Sequence, residues 1–121
     1  MSKNVVDSSA WLEYFADTPR AKHFAAAIED AANLIVPTIV IYEVCKKVRR
    51  ERGEDAALQV AAALQSGSVT DIDGGLALEA SRLNLPLADS LIYATAQRFG
   101  ATVWTQNDDF KNLAGVRYFA K

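Results

Sequence analysis

At 121 residues the chain has the size of one domain, large enough to bury a core without disulfides or structural metal. Half the residues are apolar and 23% are charged, which excludes a disordered polymer, and no apolar run approaches the roughly 18 residues of a membrane span. With 13 Lys plus Arg against 15 Asp plus Glu, the net charge of −2 excludes blanket attraction to nucleic acid; an RNA partner would need a local basic patch or bound cations. The single Cys45 excludes an internal disulfide, and the N-terminal apolar stretch is too short for a signal peptide, so the expected compartment is the cytoplasm.

Asn4-Val5-Val6 reads as a short strand ending at Asp7, and Ser8-Ser9 cap a helix through Trp11, Leu12 and Phe15. Thr18-Pro19 opens a helix that runs over 21–33 with Phe24, Ala27, Ile28 and Ala31 at helical spacing. Leu34-Ile35-Val36 is a buried strand. Pro37-Thr38 then starts a helix with the stripe Ile39, Val40, Val44, Val48 beside the basic run Lys46, Lys47, Arg49, Arg50, Arg52, ended by Gly53.

A further helix is predicted over 56–65, a third strand over Ser68-Val69-Thr70, and a helix from an Asp73 cap to Asn84. Leu85-Pro86-Leu87 breaks the pattern before Asp89 opens a helix from Ser90 to Phe99, closed by Gly100. Ala101 to Thr105 is the fourth strand. The polar turn Gln106-Asn107-Asp108-Asp109, a short helix over 110–113 and a last strand over 116–119 complete the chain. Strands alternating with helices predict a single α/β domain over residues 1–121, a three-layer α/β/α sandwich on a mostly parallel sheet of four to five strands.

Parallel sheets place their sites beyond the carboxyl ends of the strands, where Asp7 and the turn 106–109 fall. Glu43, early in its helix, and Asp89, at a helix start, can reach the same end. Gathered carboxylates repel one another unless a cation is present, and an all-oxygen donor set suits Mg²⁺, with Mn²⁺ as a substitute. A metal-free mechanism with two imidazoles is excluded, because His23 is the only histidine. Taken singly, Asp7 and Asp89 also read as helix caps and Asp108-Asp109 as a solvated turn.

Taken in order, Val5 to Trp11, Val36 to Val44, Leu85 to Ala96 and Gly100 to Phe110 resemble the four signature regions of PIN-domain ribonucleases, nearest to the VapC-type toxins of toxin–antitoxin pairs. The resemblance spans essentially the whole chain. It implies a metal-dependent endoribonuclease with Asp7, Glu43 and Asp89 as metal-binding acids. The last motif maps onto Thr105, Asn107, Asp109 and Phe110, so that Asp109 is the fourth acid, with Asp108 competing. Asn107 and Thr105 are then neutral ligands or water holders, and Ser9 is a hydroxyl beside the first Asp. The resemblance also implies a homodimer and a small antitoxin partner. A PIN-like domain that binds RNA or protein without cutting is the alternative, because Asn107 stands where an acid is possible.

Two other classes place an Asp after the first strand and are excluded. A phosphoacceptor domain needs a second acid beside Asp7 and a Lys after the last strand, and a haloacid-type phosphatase needs an Asp where Ser9 stands. The basic run reads as a solvated helix face or a phosphate track. Cys45 reads as a small buried hydrophobe. Trp11, Trp104, Phe24 and Phe99 read as core, and Tyr14, Tyr42 and Tyr93 as residues able to stack bases at a rim.

Overall fold

The computed structural model describes residues 2–121. Five strands, β1 (Asn4–Val6), β2 (Leu34–Pro37), β3 (Ser68–Thr70), β4 (Thr102–Thr105) and β5 (Val116–Tyr118), form one sheet in the order β3-β2-β1-β4-β5, every neighbouring pair parallel. Six helices connect and cover them: α1 (Ser8–Ala16), α2 (Lys22–Glu29), α3 (Thr38–Arg52), α4 (Glu54–Leu64), α5 (Gly74–Ala80) and α6 (Leu87–Phe99). Consecutive residues Val5 and Val6 are both fully buried, as are Leu34 and Val36 with nearly buried Ile35 between them, so helices cover both faces of the central strands. The sandwich expected from the sequence is therefore the one observed.

The strand order places the chain's reversal at its centre. From β1 the chain moves outward through β2 and β3, then returns to the other side of β1 as β4 and β5. The connections leaving β1 and β4 consequently diverge and open a crevice at their carboxyl ends. Asp7 follows β1 and residues 106–109 follow β4, and the two segments are neighbours because Val6 pairs with Trp104 and Asp7 N–H donates to the Trp104 carbonyl at 3.1 Å.

Element ends differ from expectation where side chains compete with the backbone. The helix predicted over 21–33 is interrupted at Asp30 (φ −90°, ψ 70°), where Asn33 Nδ2 donates to Asp30 Oδ2 at 2.9 Å and a 3₁₀ turn over Ala31–Asn33 follows. The helix capped by Asp73 ends at Ala80 rather than Asn84, with Ser81 Oγ turned back onto the Leu78 carbonyl at 2.6 Å. Residues 108–110 form a 3₁₀ turn in place of a helix over 110–113. Phe99 is 44% exposed and not core, since it lies in the last turn of α6 just before Gly100, which ends the helix in the left-handed region (φ 61°).

The main core joins Trp11, Phe24, Leu34, Val40, Val44, Leu64, Ile92 and Phe110 to the central strands, while Leu76, Ala80, Leu91 and Ala94 seal α5 onto α6. Cys45 is buried within that core, as expected. No helix among the described residues is long and apolar enough to cross a membrane. The turn into β3 passes tightly over β2: a Cβ on Gly67 would lie 2.6 Å from the Leu34 backbone carbonyl oxygen. Gly67→Ala is expected to destabilise the fold by about 1–3 kcal/mol in urea unfolding, because backbone rather than a flexible side chain must yield.

Candidate active site

Asp7 is held by its own sequence neighbours and by β4. As N-cap of α1, its Oδ1 accepts from Ala10 N–H at 3.0 Å; Ser9 Oγ donates to both carboxylate oxygens at 3.0 Å, and buried Thr105 Oγ1 donates to Oδ2 at 2.9 Å. The cap reading is realised, and capping uses one oxygen while the other accepts from Thr105 of β4. Burial, opposed only partly by these three donors and reinforced by nearby Glu43, pushes the carboxyl up to about 6.

Glu43 projects from the second turn of α3 and accepts from Ser8 Oγ at 2.6 Å. Ser8 was not singled out from sequence; its position after Asp7 marked it as a cap, whereas its hydroxyl serves a residue 35 positions away. Asp89 does not open its helix. Pro86 is the N-cap residue in extended conformation (ψ 157°), α6 begins at Leu87, and Ser90 N–H bonds the Pro86 carbonyl at 2.8 Å. Asp89 thus sits in the first turn with a carboxylate that caps nothing and is free to face Asp7 and Glu43.

Asn107 braces the fourth side. Its Nδ2 lies 3.4 and 3.5 Å from the two Asp89 oxygens, its Oδ1 accepts from Asp109 N–H at 3.0 Å, and its own N–H donates to Thr105 Oγ1 at 2.9 Å. Of the two competing acids, Asp109 lies beside Asp89 and opposes its charge, whereas Asp108 lines a groove with Ser9, Asn107, Tyr118 and Lys121. Burial first, then Asp109, Asp7 and Glu43, push Asp89 up to about 7. A cleft of about 280 Å³ joins Asp7, Ser8, Ser9, Glu43, Lys47, Asp89 and Asn107.

The loop after β4 is pinned from a distance. Gln106 accepts from Arg20 Nε at 2.9 Å and donates to Glu13 at 2.8 Å, while the Arg20 guanidinium also reaches the Phe119 and Ala120 carbonyls at 2.8 and 2.9 Å. Nothing in the sequence marked Arg20, because its partner is 86 residues away. Two other expectations separate here: Tyr93 is buried with its hydroxyl on the Ala114 carbonyl at 2.6 Å and cannot stack a base at a rim, and His23 packs on Phe119 away from the acids.

The carboxylates and hydroxyls are hard oxygen donors, with Asn107 presenting its Nδ2 to Asp89 and its Oδ1 to Asp109 N–H. Asp7 keeps acceptor capacity after its three donors, since a carboxylate offers about four lone-pair positions. Among the described residues no three Asp, Glu, His or Cys side chains close tightly enough to hold an ion by themselves. The chemistry of these oxygen donors, rather than a closed cage, fits a hard divalent cation.

The fold and cleft define a class: a parallel α/β domain with a carboxylate centre at its topological switch point. The PIN domain family model matches residues 5–116, and the chain belongs to that family. Solved structures share the fold. A chain of a toxin–antitoxin complex from Klebsiella pneumoniae superposes with a TM-score of 0.81 at 21% identity, covering 98% of this chain and 100% of the other. VapC20 of Mycobacterium tuberculosis, described as a sarcin–ricin loop cleaving toxin, gives 0.76 at 21% identity over 94% and 97% of the two chains. A DNA-bound VapBC complex from Salmonella typhimurium gives 0.73 at 16% identity over 99% and 98%. No curated protein sequence matches the chain.

Two outcomes follow from the geometry. Thr105→Val removes the acceptor of Asn107 N–H and a donor to Asp7, and is expected to cost about 1–3 kcal/mol in urea unfolding. Asp7 and Asp89 bind protons more tightly folded than unfolded, so without metal their contribution to stability falls as pH rises from 3.8 through about 7. The urea midpoint of chelator-treated protein should drop across that window, and Asp89→Asn should flatten the drop.

Proposed function

We propose that this chain is a metal-dependent endoribonuclease, the toxin half of a toxin–antitoxin pair, which hydrolyses RNA phosphodiester bonds at the carboxylate cleft. The convergence of Asp7, Glu43, Asp89 and Asp109 from four separate chain segments carries the reading, because such mutual repulsion is costly and serves a purpose only when a cation offsets it. Family membership supports nuclease chemistry, and the description of VapC20 as an RNA-loop-cleaving toxin supports RNA as the substrate.

Asp7, Glu43, Asp89 and Asp109 would hold the ion, Mg²⁺ or Mn²⁺, together with Asn107. When bound, it supplies Lewis acidity toward the phosphodiester and lowers the pKa of water. The protein's own residues fix the geometry. Asp7 cannot swing, since Ser9, Ala10 N–H and Thr105 hold both oxygens; Ser8 orients Glu43; and Asn107 couples Asp89 to the β4 loop. Such restraint reduces the reorganisation required at reaction.

The toxin–antitoxin complexes among the structural relatives support a small antitoxin partner. A homodimer is proposed with it, as the resemblance implies. A cytoplasmic site of action accords with an RNA substrate.

The test is cleavage of transfer RNA, ribosomal RNA fragments and single-stranded RNA with Mg²⁺, with Mn²⁺ and with chelator. Discrete metal-dependent cuts are expected, reduced about 100-fold or more in Asp89→Asn. Binding without cutting, in protein shown free of copurified antitoxin and able to bind Mg²⁺, would favour the non-catalytic alternative.

A further inference from the structure

Five cations crowd the later turns of α3, and the carboxylate chemistry uses none of them. They are not equivalent. Arg49 is tied to Glu54 at 2.6 Å, whereas Lys47 makes only a loose, exposed pair with Glu51 at 3.6 Å. Residues three and four apart share a helix face, so Glu43, Lys46, Lys47 and Arg50 form one strip. Its first member stands in the acidic cleft, and Lys47 is the cation among the residues lining that cleft.

Tyr42 flanks the strip and is 58% exposed, with Lys46 Nζ 5.3 Å from its ring centroid and 3.0 Å from its hydroxyl. A solvated helix face accounts for the cations but not for an exposed aromatic ring one residue before Glu43. Electrostatics supplies the other half of the argument. A chain of net charge −2 with four carboxylates at its centre repels a polyanion, so a nucleic acid must be drawn in by local positive charge next to the acids.

We propose that Tyr42, Lys46, Lys47 and Arg50 form a positioning track for single-stranded RNA leading into the cleft, the cations taking phosphates and the tyrosine stacking an unpaired base. The combination of an open ring with adjacent cations is that of a single-strand platform, since a base inside a duplex offers no free face. This track rests on the ribonuclease reading. It specifies that the strand approaches along α3.

The test uses the full chain and fluorescent oligouridylate, free and annealed to oligoadenylate, with affinity measured in Asp89→Asn and cleavage kinetics in the otherwise unaltered chain. Lys46→Ala combined with Arg50→Ala is expected to raise KM, to leave kcat largely intact, and to flatten the slope of log Kd against log salt by about 1.4, or 0.7 per cation. Tyr42→Leu should weaken single-strand binding about tenfold with little change for the duplex, and Tyr42→Phe should restore it. Cutting with KM, salt slope and Tyr42→Leu affinity all unchanged overturns the track and leaves the nuclease reading standing. An unaltered chain that neither binds nor cuts RNA overturns both.

Discussion

A carboxylate buried at the end of the central strand is the constraint around which the molecule is arranged. Asp7 is only 2% exposed, and an ionised group in such a place is tolerated only when hydrogen-bond donors replace water. Those donors come from the first turn of α1 and the last residue of β4, so the same contacts start a helix, join the two central strands and fix one wall of the cleft. Thr105 extends the arrangement by accepting from Asn107 N–H, carrying the order from Asp7 to the loop that holds Asp109.

Around that anchor the other acids are assembled against their own repulsion. Burial, Asp109, Asp7 and Glu43 all oppose the charge of Asp89, and the long amide contact from Asn107 offsets little of that opposition. A domain selected for stability alone would replace such a group. Its presence in the first turn of α6, where it caps nothing, marks the cleft as a place where stability is given up for a task.

The same fold serves many tasks, and relatives at 15–21% identity establish architecture rather than activity. Functional weight therefore rests on particular atoms. The carboxylates and hydroxyls of the cleft suit a hard cation; its lining ammonium belongs to Lys47, at the head of a basic strip. On the proposed reading, negative centre and positive approach are complementary requirements for an anion cut at a cation site.

Local sequence alone determined the alternation of strands and helices and the parallel sheet, and it singled out Asp7, Glu43, Asp89 and the turn after β4 as candidates. Apolar periodicity, proline and glycine breaks and caps are written in neighbouring residues, and the four short motifs preserve their order along the chain. Helix ends were less legible: Asp30 with Asn33 broke one helix, and Pro86 moved the start of another, freeing Asp89 from the cap role its position suggested. Tertiary structure alone set Asp109 beside Asp89, gave Ser8 to Glu43, buried Tyr93, exposed Phe99 and linked Arg20 to Gln106. Adjacent residues in a turn differ only in the direction they face, and partners 35 to 86 positions apart meet only after the sheet has formed, so neither fact exists until the chain is folded.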